Sequence, residues 1–396
     1  MIAVAGGDLV LPDRIVSGGS LVIDGTRIAA VDTARIDAPR SAIIAADDCY
    51  VVPGFVDVHV HGIEGVDTLD GPGSVAEMAS RLPRYGVTAF CPTTVACPPE
   101  DLRAFLRQVA ESRVRPAGAR VLPAHLESNF VSPDYAGAQP LDCLRRPDGR
   151  RAAPGEFSGQ DVLEAIAAAR PDVGIVTLAP ELPGALDLVG SLVRAGHRVS
   201  LGHSGADFDI TMAAIEAGAR HATHLFNRMT PLMHRAPGLA GAILASDDVA
   251  AELICDGYHV HPAICSMAIR AKGTGGIMAI TDGTAGSGLA AGMRGRLGGR
   301  TIHVRSAAAF LDDGTLAGST LTMDRAFRTL VVAFGQSIVA AATMCATTPA
   351  RELGLTGLGV LGEGAVADFV VLDRSFRVVR TFVDGVQVWD AGQPGV

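Results

Sequence analysis

The feature that most constrains the fold of this chain is a series of eight short apolar runs, rich in β-branched residues, between residues 52 and 343. The predicted strands are residues 52–60, 87–94, 120–127, 173–179, 198–203, 221–226, 251–256 and 276–281. Segments with helical periodicity lie between most of them, at residues 74–85, 100–111, 159–169, 185–195, 208–217 and 262–271. Eight strands that alternate with helices are typical of a (β/α)8 TIM-type barrel rather than of an open doubly wound sheet.

The two ends of the chain have a different pattern. Residues 1–51 and 364–391 alternate apolar and polar side chains and contain Asp24-Gly25 and Asp384-Gly385, dipeptides that favour tight hairpin turns. We therefore expect both ends to pair into one small β-sandwich domain, residues 1–51 and 347–396. The barrel domain is then residues 52–346.

Composition narrows the class of partner. The net charge is -9 and no basic stripe is present, which argues against binding to nucleic acid or to a membrane surface and favours a small-molecule substrate. The seven cysteines are scattered without CxxC spacing, which predicts reduced thiols rather than a disulfide framework or a thiolate zinc site. Neither a signal peptide nor a long apolar span is evident, so we expect a cytoplasmic protein.

Ligand-type side chains stand at the carboxyl ends of the predicted strands, where barrel enzymes place their chemistry. His59 and His61 are two residues apart on the first strand, so both side chains point to the same side. Four further strands end on the residues Glu127, His203, His224 and Asp282. Each of these could singly be an ordinary buried polar residue, but together they predict a metal centre.

Imidazole and carboxylate ligands without thiolates suit Zn²⁺ best, and Fe²⁺, Mn²⁺ and Co²⁺ are compatible with the same set. Such an ion lowers the pKa of a bound water to roughly 7 and polarises a carbonyl, while a nearby carboxylate transfers the proton. Asp282 fits that role, although it could instead cap the following GTAGSG loop. The only lysine, Lys272, precedes the eighth strand, so any carboxylate bridge between two ions must come from Glu127.

Blocks along almost the whole chain resemble the N-acetylglucosamine-6-phosphate deacetylase family of the amidohydrolase superfamily. The blocks are GFVDVHVHG, HLE, VTLAPE, GHS, ATHLFN, RAPGLAGAI, DGYHV, TDG and LAGSTLTM. LAPE, ATHLFN and PGLAGAI are the specific part of the likeness. The resemblance implies a distorted barrel with a β-sandwich from both chain ends, a dimer, and hydrolysis of N-acetylglucosamine 6-phosphate to glucosamine 6-phosphate and acetate.

The same resemblance implies roles for individual residues. Asp282 matches the aspartate that activates the water and later protonates the amine leaving group. One or two ions per subunit are implied, since some members bind a second metal and others do not. The principal ion is matched by Glu127, His203 and His224, and the second by His59 and His61.

Further matched positions hold the substrate. Asn227, His259 and Arg235 match residues that bind the sugar phosphate, and Arg235 is expected to reach the site of the neighbouring subunit. The loop Leu316-Ala317-Gly318 matches a segment that lines the substrate. Without the resemblance, Arg235 could be a surface ion-pair partner and His259 a structural loop histidine.

The chain departs from the family pattern in three places. Ser128-Asn129 replaces Gly-Pro after the third-strand glutamate, Gln139 replaces a histidine that helps hold the acyl carbonyl, and Arg228 replaces a small residue beside Asn227. Gln139 and Arg228 are therefore expected to contact the substrate. The departures leave open a related amidohydrolase that acts on another acetamido sugar or a cyclic amide. A third hypothesis is a non-catalytic sugar-phosphate binding protein, but the retained ligand set argues against it.

Overall fold

The computed structural model describes residues 1–32, 43–115, 118–148, 156–305 and 308–392. Parts of the predicted terminal domain, residues 33–42 and 393–396, lie outside these ranges. Within the described ranges, no helix has both the length and the apolar character that a membrane crossing requires. All seven cysteines are free, and six of them are buried.

Eight parallel strands form a nearly closed barrel, which confirms the predicted (β/α)8 fold. The strands are Phe55–Val60, Val87–Thr94, Ala124–Glu127, Val173–Leu178, Arg198–Leu201, His221–Ala222, Ala250–Ile254 and Ile277–Ile280. Each pairs with the next along the chain. The first and last strands meet through a parallel bridge between Val60 and Gly283, and the Asp282 N–H donates to the His59 carbonyl at 2.9 Å. The second strand also pairs with a short strand, Arg120–Val121.

Helices cover the outside of the barrel, and some of them, including those that follow Ser158 and Asp207, begin at a side-chain cap. Ser158 and Asp161 form a reciprocal capping box, and the Asp207 carboxylate accepts from the Ile210 N–H at 2.9 Å. The helices are Ser74–Arg81, Pro99–Val114, Gly159–Ala168, Ala185–Arg194, Phe208–Glu216, Gly238–Ala245, Pro262–Lys272, Met323–Val332, Ile338–Ala342 and Thr348–Glu352. A π-helix, Thr343–Thr347, joins the last two. The six predicted helical segments agree with this set to within a few residues.

Both chain ends form one eight-stranded sheet beside the barrel, as expected. Its strands are Ile2–Val10, Ile15–Asp24, Arg27–Asp32, Ile43–Ala45, Cys49–Pro53, Phe369–Asp373, Val378–Val383 and Val386–Asp390. Val52 pairs with Val370 in this sheet, so the strand predicted to start the barrel at residue 52 begins only at Phe55. One apolar cluster, which includes Leu21 and Phe369, draws on both chain ends. The domain boundaries at residues 51/52 and 346/347 stay predictions.

A four-stranded antiparallel sheet follows the last barrel strand and stands beside the barrel mouth. Its strands are Arg294–Leu297, Arg300–Val304, Ala308–Phe310 and Leu316–Ser319. The Ser319 N–H donates to the Asp282 carbonyl at 2.8 Å, which ties this sheet to the end of the eighth barrel strand. Gly318, at φ +57°, is required there, because a Cβ would lie 2.9 Å from the Asp282 carbonyl oxygen and 2.6 Å from Thr284 Cγ2.

Candidate active site

A single pocket at the carboxyl ends of the barrel strands brings most of the predicted site residues together. The predicted residues that line it are His61, Glu127, Gln139, His203, His224, Asn227, Arg228, His259, Asp282, Leu316 and Gly318. Val95, Ala138 and Leu297, which were not predicted, complete the lining. His59 lies directly behind it, with its Nε2 at 3.2 Å from that of His61.

Glu127, His203 and His224 form the tightest group of potential metal ligands. Glu127 Oε1 lies 2.7 Å from His203 Nε2 and 2.9 Å from His224 Nε2. The two imidazole nitrogens are 3.0 Å apart, and all three side chains are buried. The three ligand atoms therefore converge on one point.

A second group, His59, His61 and Asp282, adjoins the first. Asp282 Oδ1 lies 3.4 Å from His59 Nε2 and 3.3 Å from His61 Nε2. Glu127 Oε1 is 3.8 Å from His59 Nε2, and its Oε2 is 3.6 Å from His61 Nε2. Glu127 thus stands between the two groups, as a bridging carboxylate would.

The chemistry of this donor set fits a divalent metal ion. Four imidazole Nε2 atoms face one another across two carboxylates, and converging imidazole nitrogens and carboxylate oxygens are ligands that Zn²⁺ takes in proteins. Partners outside the cluster hold two of the rings in this orientation. His203 Nδ1 lies 2.9 Å from the Tyr135 carbonyl oxygen, and His59 Nδ1 lies 2.8 Å from Glu252 Oε2.

Both carboxylates of the cluster are held in their ionised form. Burial raises the pKa of Glu127, but His203 and His224 outweigh it and hold that pKa well below its ordinary value. Burial likewise raises the pKa of Asp282, and the charges of His59 and His61 outweigh it. Both side chains are therefore anionic at neutral pH, ready to act as a ligand or to accept a proton.

The backbone at the pocket adopts conformations that side chains rarely take. The predicted ligand and acid-base residues include three with positive φ angles: His203 at 47°, His224 at 27° and Asp282 at 47°. Phe226 and Arg228, in the loop after the sixth strand, are at 77° and 49°. Each such conformation costs on the order of 1–3 kcal/mol and persists mainly where the surrounding structure enforces it, commonly at functional sites.

The opposite side of the pocket carries a cation and an oriented histidine. His259 Nδ1 lies 2.6 Å from Asp256 Oδ2, which leaves its Nε2 for the pocket. Arg228 stands at the exposed rim, and a Cβ at Gly137 would lie 2.8 Å from its Nε. Among the residues that the structure describes, none forms an ion pair with Arg228. The rim therefore offers a positive charge to an anionic group.

Gln139 contacts the metal-ligand cluster directly. Its Oε1 accepts from the Ala96 N–H at 2.7 Å, so its Nε2 faces Glu127 Oε2 and donates to it. Gln139 is buried within the pocket lining. The amide thus orients the carboxylate oxygen that does not bond to His203 or His224.

Ser128 and Asn129, by contrast, are turned away from the pocket. The Ser128 hydroxyl donates to the Thr177 carbonyl at 2.6 Å. The Asn129 amide donates to the carbonyls of Cys97 and Cys143, at 2.8 Å each. Both side chains therefore hold the loop after the third strand in place, and Gln139 and Arg228 are the departures that touch the pocket.

Two of the predicted substrate-binding residues, Arg235 and Ala317, do not line the pocket of their own chain. Arg235 is exposed on the segment after the sixth strand and lines a separate surface pocket with Asp207 and Met233. Ala317 is buried in a small apolar cluster with Ile302, whereas its neighbours Leu316 and Gly318 line the pocket. The roles predicted for both residues stay predictions.

Sequence reasoning assigned no role to Glu252 and Asp256, which orient His59 and His259. A signal was present for each. Glu252 is a charged residue inside an otherwise apolar strand, AAELI, and Asp256 stands three residues before His259 in DGYHV.

Comparison with known proteins places these features in a family. The amidohydrolase family model matches residues 50–388. The chain is 38% identical to N-acetylglucosamine-6-phosphate deacetylase of Rattus norvegicus, over 99% of this chain and 95% of that one. It is 35% identical to N-acetylgalactosamine-6-phosphate deacetylase of Escherichia coli O157:H7, over 91% and 93%.

A solved structure agrees with the sequence comparison. A variant of N-acetyl-D-glucosamine-6-phosphate deacetylase from Mycobacterium smegmatis, in complex with N-acetyl-D-glucosamine-6-phosphate, is similar with a TM-score of 0.88. Its sequence identity to this chain is 31%, and the match covers 98% of this chain and 99% of that one. Amidohydrolases typically depend on divalent metals, which accords with the ligand groups described above. The chain therefore belongs to the N-acetylglucosamine-6-phosphate deacetylase family of amidohydrolases.

Proposed function

We propose that this protein hydrolyses the N-acetyl group of N-acetylglucosamine 6-phosphate and releases glucosamine 6-phosphate and acetate. The observation that carries the proposal is the convergence, in one pocket, of the two ligand groups around Glu127 with the positive charge of Arg228. The two ligand groups suit an amide carbonyl, and Arg228 suits a phosphate. The names of the similar enzymes support the same reaction.

We propose that Glu127, His203 and His224 hold the principal ion, with His59 and His61 available for a second. Zn²⁺ suits these nitrogen and oxygen ligands best. When bound, the ion lowers the pKa of water and polarises the amide carbonyl.

Asp282 is the proposed acid-base residue. Its Oδ1 lies against both His59 and His61, and its carboxylate is anionic, so it can accept the proton of the attacking water. The same oxygen then carries that proton to the amine nitrogen as the carbon–nitrogen bond breaks. Only 7% of Asp282 is exposed, which limits loss of the proton to solvent.

The phosphate end of the substrate is assigned to Arg228, His259 and Asn227. An arginine fork matches the oxygens of a phosphate, and Asp256 directs the His259 imidazole towards the pocket. Arg235 is proposed to serve the neighbouring site in a homodimer. Leu232 and Met233, which are 53% and 57% exposed beside it, support a protein contact there. The free cysteines support a cytoplasmic location.

N-acetylgalactosamine 6-phosphate is a second candidate substrate, because a similar enzyme from E. coli carries that name. The two sugars differ only in the configuration of one hydroxyl. Gln139 and Arg228 are the two departures from the family pattern that line the pocket.

The proposal is tested by acetate release from metal-reconstituted protein. Four compounds distinguish the two candidate substrates and test the need for phosphate: the 6-phosphates of N-acetylglucosamine and N-acetylgalactosamine, and the same sugars without phosphate. We expect the highest kcat/KM with N-acetylglucosamine 6-phosphate. Preference for the galactosamine compound would support the second candidate, and no acetate from any of the four would contradict both.

Arg228→Met should lower kcat/KM for the phosphorylated substrate by about 10- to 100-fold, because a hydrogen bond to a charged group contributes about 1.5–3 kcal/mol. Turnover of the unphosphorylated sugar should change little. Initial rates on both compounds give the comparison. Arg113→Met, which removes an arginine ion-paired to Asp172 away from the pocket, is the matched control. Equal losses on both compounds would show that Arg228 does not bind phosphate.

A further inference from the structure

Glu252 lies at the centre of the barrel interior and binds two proposed ligands through one oxygen. Its Oε2 lies 2.8 Å from His59 Nδ1 and accepts from the His224 N–H at 3.0 Å. Its Oε1 lies 2.8 Å from His221 Nε2. His59, His221 and Glu252 are completely buried. Glu252 is therefore a buried carboxylate with three close partners beneath the metal centre.

The position of the proton on His221 follows from its contact with Arg198, which can only donate. Arg198 Nε lies 3.0 Å from His221 Nδ1, and a guanidinium has no acceptor. His221 therefore accepts at Nδ1 and carries its proton on Nε2, which donates to Glu252. Arg198 is itself held by Glu352 at 2.6 Å. Arg198 thus donates to Glu352 and to His221, and His221 in turn donates to Glu252.

Glu252 also accepts hydrogen bonds from the residues of the metal centre. As an acceptor, it keeps the proton of neutral His59 on Nδ1, so the lone pair of Nε2 faces His61 and Glu127. Because the same oxygen holds the backbone N–H of His224, it also ties together ligands of the two groups. His224 has a φ of 27°, and this bond helps to hold that conformation.

The same surroundings argue against a separate metal position at Glu252. His59, His125 and Glu252 lie close enough to hold an ion. However, His125 Nδ1 lies 2.9 Å from the Val58 carbonyl oxygen and Nε2 lies 2.7 Å from Thr177 Oγ1, so both nitrogens already have partners. Glu252 is therefore part of a hydrogen-bond network.

We propose that Glu252, oriented by His221 and Arg198, is a positioning residue that sets the tautomer of His59 and the spacing between His59 and His224. The inference rests on the proposed metal centre. Carboxylates commonly orient metal-binding histidines by accepting a hydrogen bond from the ring nitrogen that does not bind the metal, and Glu252 has this relation to His59.

Glu252→Gln tests the proposal with almost no change in shape. All three groups that face the carboxylate are donors, so a carboxamide must turn its NH₂ towards at least one of them. Equilibrium dialysis against Zn²⁺ should show about 10- to 100-fold weaker binding at the His59, His61 and Asp282 position. Ser200→Ala, which removes a buried 2.6 Å hydroxyl bond to Thr223, should bind like wild type.

Nuclear magnetic resonance of the imidazole nitrogens supplies a readout that needs no activity. Wild-type His221 should carry its proton on Nε2 alone, and Glu252→Gln, whose NH₂ replaces one acceptor oxygen, should admit the other tautomer of His221 or of His59. A proton on Nδ1 of wild-type His221 would overturn the proposal, as would unchanged Zn²⁺ affinity in Glu252→Gln. Failure of wild type to bind Zn²⁺ would instead contradict the proposed metal centre.

Discussion

Asp282→Asn is expected to lower kcat by about 10²- to 10⁴-fold, the usual contribution of a positioned acid-base group. Asparagine preserves the shape of the side chain and one oxygen near His59 and His61, but it can neither accept nor return a proton. The principal ligands, which are other side chains, are untouched. The metal content of the position formed by Glu127, His203 and His224 should therefore stay close to that of wild type while acetate release falls.

Asp312→Asn controls for this change. Asp312 pairs with His303 at 2.6 Å in an exposed position on the sheet beside the barrel mouth, so its loss should leave turnover unchanged. Metal analysis and initial rates on the same samples separate chemistry from binding. A fully active Asp282→Asn protein would remove Asp282 from the mechanism.

The barrel could be predicted because its strands are buried on both faces and read as continuous apolar runs. Val87–Thr94 is buried at every position, and runs of this kind recur eight times. Other elements give no such signal. Gly238–Ala245 is a helix of small apolar residues and is buried through Ile243, so it lacks an amphipathic period. The sheet Arg294–Ser319 has short strands with little alternation, and it was not predicted.

The gathering of these histidine and carboxylate side chains in one pocket could be predicted from their positions, because the carboxyl ends of barrel strands meet at one face. The sequence does not show whether a side chain that follows the end of a strand points into the pocket or away from it. Ser128 and Asn129 follow Glu127 directly, yet their polar groups bond to main-chain carbonyls instead of facing the pocket. Glu252 lies far from His59 in sequence, and only barrel closure brings them to 2.8 Å. The assigned role of Arg235 requires a second copy of the chain.

Glu127→Gln is expected to have the other large effect: loss of the principal ion and a fall in kcat of more than about 10³-fold. Glu127 is the carboxylate between the two ligand groups, and several kcal/mol of charge stabilisation depend on the ion that it helps to hold. The Gln139 amide already donates to its Oε2. A carboxamide would then keep one oxygen towards Gln139 and turn its NH₂ towards His203 and His224, where a lone pair is needed.

Glu64→Gln is a suitable control, because Glu64 pairs with Arg84 and Tyr85 outside the pocket. Its metal content and turnover should match wild type. Metal content per subunit and acetate release are measured on both variants with excess Zn²⁺ and after dialysis. Excess Zn²⁺ should restore little activity to Glu127→Gln, because the missing charge weakens the site itself. Wild-type metal content with wild-type turnover in that variant would contradict the assignment of Glu127 as a ligand, and with it the geometry from which the proposed reaction was inferred.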